Sequence, residues 1–141
     1  MNASNVRLRL RSDSDCSKPS KLGNIDRLSD AGFHVLISGF FRYFRVSQYL
    51  SGNTREPLAI VTGTEGLGDV FCEEYYDGLT GSILEGLGLM FSHSTVLYVY
   101  LTSSDTSNED LPVTDDLRPL LTYLRDRHQI VFIDDYAPLP A

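Results

Sequence analysis

Three aspartates carry the most direct chemical suggestion in this chain. Asp105 lies just past one apolar β-type segment, and Asp134 and Asp135 close another. Ligands of open parallel sheets collect outside the carboxyl ends of the strands. If segments 95–101 and 130–134 are neighbours, Asp105, Asp134 and Asp135 share one rim. Three carboxylates there would make an oxygen site for Mg²⁺, and a phosphorylated substrate would suit it. The plainer reading is that aspartates at strand ends are turn formers.

Other catalytic signatures lack their parts. Val61-Thr62-Gly63-Thr64-Glu65-Gly66-Leu67-Gly68 comes after a strand-like run, the right context for a phosphate cradle. A Walker loop needs Gly-Lys-Ser/Thr, but Gly68 is followed by Asp69. A dinucleotide fingerprint would place Phe71 where a small residue must allow close helix packing. Glu65 and Asp69 would also repel phosphate, so a structural turn is the expectation. His34, His93 and His128 show no metal-ligand spacing, and no Gly-x-Ser-x-Gly elbow occurs. The repeat of Glu65–Phe71 in Glu85–Phe91 has no third copy, so it does not indicate a solenoid.

A different chemistry is written in Glu73, Glu74, Tyr75, Tyr76 and Asp77, a local cluster of carboxylates and tyrosines. Tyrosines flanked by acids suit a surface that binds a basic protein. Asp105, Glu109 and Asp110 extend the acidic character into a serine-rich stretch. The alternative for the tyrosines is half-buried strand positions with polar tips.

Composition sets the frame. The 141 residues carry a formal charge of −7, so double-stranded nucleic acid is a poor partner. The charge is uneven. Residues 1–21 hold five basic and two acidic side chains, and residues 22–141 hold seven and seventeen. A basic polar leader therefore precedes an acidic domain over 22–141. The two cysteines, Cys16 and Cys72, form no Cys-x-x-Cys pair, which points to a reducing, cytoplasmic setting. The most apolar stretch, Ala31 to Phe41, falls well short of the about 20 residues a membrane span needs.

Periodicity then supplies the elements. Val6, Leu8 and Leu10 alternate with arginines and predict a short strand. Residues 24–32 suit a helix closed by Gly32, and residues 33–38 a buried strand before a helix over 40–50. One long helix from Ser29 to Gly52 is the rival reading. Leu58–Thr62, Ser94–Leu101 and Ile130–Ile133 read as strands, whereas Val70–Tyr76 is ambiguous. Leu79, Ile83, Leu84, Leu87, Met90 and Phe91 fall on one helical face over 79–91. Asp115 or Asp116 caps a helix whose stripe is Leu117, Leu120, Leu121 and Leu124. Strand, helix, strand at these lengths predicts a parallel crossover. Apolar runs without alternation predict helices on both sheet faces.

The expected fold is a single small α/β domain with four to five strands in a mixed, partly parallel sheet. The leading function is a non-enzymatic acidic binding protein, an inhibitor or regulator covering a basic surface of a protein partner, with no cofactor. The alternatives are a small Mg-dependent enzyme using Asp105, Asp134 and Asp135, and a homo-oligomeric structural component.

Overall fold

Short β-branched and aromatic runs, each flanked by a proline, glycine or polar turn, assemble into the sheet. The computed structural model describes residues 20–36, 39–40, 42–92, 94–101 and 111–134. Within them β1 (Leu58–Gly63), β2 (Thr95–Tyr100) and β3 (Ile130–Ile133) lie side by side in the order β1-β2-β3. Both pairings are parallel, so the crossover expected around the C-terminal helix is present. Five α-helices accompany the strands: α1 (Ser20–Asp30), α2 (Tyr43–Asn53), α3 (Thr64–Val70), α4 (Ser82–Met90) and α5 (Arg118–Asp126). A 3₁₀ turn, η1 (Glu73–Tyr76), joins α3 to α4. This is a small α/β domain with three parallel strands among the described residues, fewer than the four to five expected. The leader strand Val6–Leu10 lies outside the described residues.

Register explains where the core sits. Leu58 pairs with Thr95, Ile60 with Leu97, and Leu97 in turn with Ile130. Alternate residues therefore line one face, and Ile60, Leu97, Val99 and Ile130 on it are almost fully buried. One core cluster joins that face to Phe44 of α2, Leu67 and Val70 of α3, Ile83, Leu87 and Met90 of α4, and Leu121 and Leu124 of α5. The opposite face carries Ala59, Val61, Val96, Tyr98, Tyr100, Val131 and Ile133, none of which belongs to that cluster. Among the described residues, α2, α3, α4 and α5 send their buried side chains to the Leu97 face, and the opposite face is half-buried, with Ala59 exposed. Apolar strand residues without alternation suggest two-sided burial, yet one side is only half-buried or exposed.

Helix ends and contacts obey local chemistry. Gly32, at φ +89°, closes α1: its N–H donates to Ser29 and the Phe33 N–H reaches back to Leu28. His128 does the same for α5 at φ 57°, with the Gln129 N–H donating to the Leu124 carbonyl. The Ser47 hydroxyl, fully buried, donates to the Met90 carbonyl at 2.7 Å and ties α2 to α4. At the start of α5 neither Asp115 nor Asp116 is the cap. The helix begins after Leu117, and Asp115 instead pairs with Arg118 at 2.9 Å.

Two expectations fail here for identifiable reasons. Residues 33–36 form neither strand nor helix, so neither the buried strand 33–38 nor the long helix 29–52 exists as drawn. The left-handed turn at Gly32 ends the helix, and no strand of the sheet pairs with residues 33–36. Leu36 stands 59% exposed in consequence. Leu84, expected in the core stripe of α4, is 68% exposed. The helix starts only at Ser82, and Ile83, Leu87 and Met90 alone complete its buried stripe, with Gly86 between them.

Candidate functional site

The edge built by α3, η1 and the start of α2 gathers the chemistry of the described residues. β1 runs directly into α3 with Gly63 as the N-cap, so the expected glycine loop is instead a helix. Leu67 and Val70 of α3 are wholly buried and fix its orientation. The chain turns at Phe71, and the Tyr75 N–H donates to the Cys72 carbonyl as η1 forms. In a 3₁₀ turn successive residues point about 120° apart, so neighbours part company. Tyr76 turns inward, its ring 5.4 Å from that of Phe44 and its hydroxyl donating to the Val70 carbonyl at 2.6 Å. Burial pushes the Tyr76 phenol far above its ordinary range. Glu73, Glu74 and Asp77 are exposed, and Tyr75 is half-buried.

Arg42, just ahead of α2, stacks its guanidinium 3.6 Å above the Tyr75 ring. The Tyr75 hydroxyl points toward Asp69 Oδ1 across 3.5 Å. Burial lifts the Asp69 carboxyl above the usual carboxylate value, against the opposing pull of the Tyr75 hydroxyl and of Arg42; nearby Glu65 adds to the lift. Arg42, Tyr43, Phe44, Asp69, Tyr75 and Tyr76 line a cavity of about 10 Å³. That is room for roughly one water, far below the ~300 Å³ of a small-molecule site. Nothing in the sequence singles out Arg42 and Asp69, because only the fold brings them to the tyrosine pair.

The sequence-derived residues now separate. Glu73, Glu74, Tyr75 and Asp77 share one edge. Tyr76 belongs to the core and offers a partner nothing but packing support. Asp134 is exposed at the end of β3, while Asp105, Glu109, Asp110 and Asp135 lie outside the described residues. No group of three metal-ligating side chains forms among the described residues. Nor does any described helix have the length and apolarity to cross a membrane. The glycines of the expected loop serve packing: Gly66 abuts Thr62 and Tyr43, and Gly68 abuts Pro112.

The raised Asp69 pKa has a signed consequence. The folded chain holds this proton more tightly than the unfolded chain does. Stability therefore falls as pH rises from the ordinary value of 3.8 through the lifted one, and stays lower above it. Asp69→Asn is expected to remove that segment of the profile, measured as urea-unfolding free energy against pH. Identical profiles for the two proteins would contradict the assignment.

These features define a small α/β domain with a carboxylate-bearing, tyrosine-supported edge. No protein-family model matches the chain, and neither the curated proteins nor the solved structures give a match.

Proposed function

We propose that the chain is a non-enzymatic binding protein that takes a basic surface of a protein partner on the η1 edge. The observation that supports this reading is the rooted geometry of that edge. Glu73, Glu74 and Asp77 project from a turn whose next-door tyrosine is locked in the core. Carboxylates on a preorganised platform lose little freedom when a cationic surface docks, so their attraction is retained as affinity. Tyr75, capped by Arg42, adds an aromatic flank that a partner's arginine can share by exchange of stacking partners. An inhibitor or regulator role holds wherever the covered surface is the partner's working site. Asp105, Glu109 and Asp110, outside the described residues, enter this proposal through their charge alone.

A short oligolysine peptide is the probe, titrated calorimetrically into the full chain. Binding is expected near 0.05 M salt and is expected to weaken by about tenfold or more toward 0.5 M, as the screening length shrinks to a few ångströms. Affinity that holds across that range contradicts recognition by charge.

A further inference from the structure

The tightest arginine–ring contact among the described residues lies at the η1 edge, and the chain makes it with itself. The Arg42 guanidinium sits 3.6 Å above the Tyr75 ring, which is direct van der Waals contact. Three other arginine–ring pairs are looser, at 5.1 to 5.5 Å. Charge acts on the same guanidinium. Asp69, toward which the Tyr75 hydroxyl points, feels its attraction. Glu73 and Glu74 precede Tyr75 in the turn, and Asp77 follows two residues later, all three exposed. A ring beneath and carboxylates around it are the parts that recognise an arginine. One arginine of this chain already occupies them.

We propose that Arg42 is a built-in competitor: the group this edge takes from its partner is an arginine side chain, which binds by displacing Arg42 from the Tyr75 ring. The inference rests on the binding role proposed above for the η1 edge and names the chemistry that the edge selects. Space requires the displacement. The cavity lined by Arg42, Asp69 and Tyr75 measures about 10 Å³, room for roughly one water, so a second guanidinium cannot enter beside the first.

The exchange leaves the fold intact. The Arg42 carbonyl accepts the N–H groups of Arg45 and Val46, which fixes its backbone at the start of α2. The long side chain regains rotamer freedom when it leaves the ring, and this offsets part of the cost of its removal. Lysine gains less from the vacated ring. Its ammonium is compact and strongly hydrated, whereas a guanidinium is flat and stacks. The ring thus discriminates arginine from lysine, which the carboxylates alone do not.

The test titrates oligoarginine and oligolysine peptides of equal length into the full chain and into Arg42→Lys, by calorimetry at low salt. Arg42→Lys keeps the charge and removes the flat competitor. Oligoarginine is expected to bind this variant about fivefold more tightly, the worth of one exposed stacking contact, and oligolysine to stay within about twofold. Adding Tyr75→Leu to Arg42→Lys should abolish the arginine gain and preserve oligolysine binding. Arg45→Lys, an exposed position in the first turn of α2, is the control and should change neither affinity. Equal gains for the two peptides would overturn the proposal, because they would report exposed charge and not a vacated ring. An unchanged oligoarginine affinity in Arg42→Lys would overturn it as well. In either case, oligolysine binding by the parent protein leaves the role of the carboxylate edge standing. A parent protein that binds neither peptide would overturn that role and this inference together.

Discussion

Gly86→Ala is expected to cost about 3 kcal/mol or more, although alanine is the better helix former by about 1 kcal/mol. A Cβ at this position of α4 would overlap the Cδ1 and Cε1 atoms of Tyr76. The ring has no room to yield. It packs against Phe44 on one side and is held by its hydroxyl at the Val70 carbonyl. A domain of this size has only about 5–15 kcal/mol in total, so the variant sits close to its unfolding limit. Gly88→Ala, two residues along the same helix, is the control. It would meet nothing within 4 Å and is expected to stabilise by up to about 1 kcal/mol. Urea unfolding of the two variants should give opposite signs. Tyr76→Phe should not rescue Gly86→Ala, because the collision is with ring carbons and not with the hydroxyl. Equal and small effects at the two positions would show that Tyr76 is not locked against α4.

Gly66→Ala is the second large effect, expected at about 2–3 kcal/mol. The new methyl would enter the space of the Thr62 hydroxyl and approach the Tyr43 hydroxyl to 2.6 Å. Those two hydroxyls are hydrogen-bonded to each other at 3.1 Å in a buried site between β1 and α2. Shifting either one leaves the other without its partner, which adds a desolvation penalty to the steric one. Tyr43 is only 6% exposed, so little water can reach its hydroxyl as a substitute, and the same burial raises the phenol's pKa above its ordinary value. Thr62→Ala removes the hydroxyl that the new methyl strikes. The double variant should therefore cost less than the sum of the two single variants, by about 1 kcal/mol in a double-mutant cycle. Strict additivity would mean that Gly66 does not pack where the fold places it.

These two glycines also mark the reach of sequence reading. The strands at 58, 95 and 130 are legible because short β-branched runs between breakers have few other solutions. The leucine stripe of α5 is legible because four leucines at helical spacing name their own face. Gly66 and Gly86 are visible only as loop or weak-helix residues, since close approach to a distant side chain leaves no local mark. Val35 and Leu36 suggest burial because they are apolar, yet burial needs a partner and the sheet supplies none there. Half of the candidate edge is readable, as Glu73, Glu74, Tyr75 and Asp77 are adjacent in the chain. Tyr76 is not, because the one inward position of a 3₁₀ turn has no signature in residue type. Arg42 and Asp69 join the edge only through the packing of α2 on α3 and η1.

The decisive measurement is a calorimetric comparison of two triple variants that carry the same net charge. One neutralises the edge through Glu73→Gln, Glu74→Gln and Asp77→Asn. The other neutralises exposed carboxylates elsewhere, through Glu56→Gln, Asp115→Asn and Asp126→Asn. With oligolysine at low salt, the edge variant is expected to lose about tenfold in affinity, from ion pairs each worth up to about 1 kcal/mol. The other variant is expected to stay within about twofold of the parent, since it leaves the edge intact. Equal losses in both would show that only overall charge matters and would contradict a binding edge at η1.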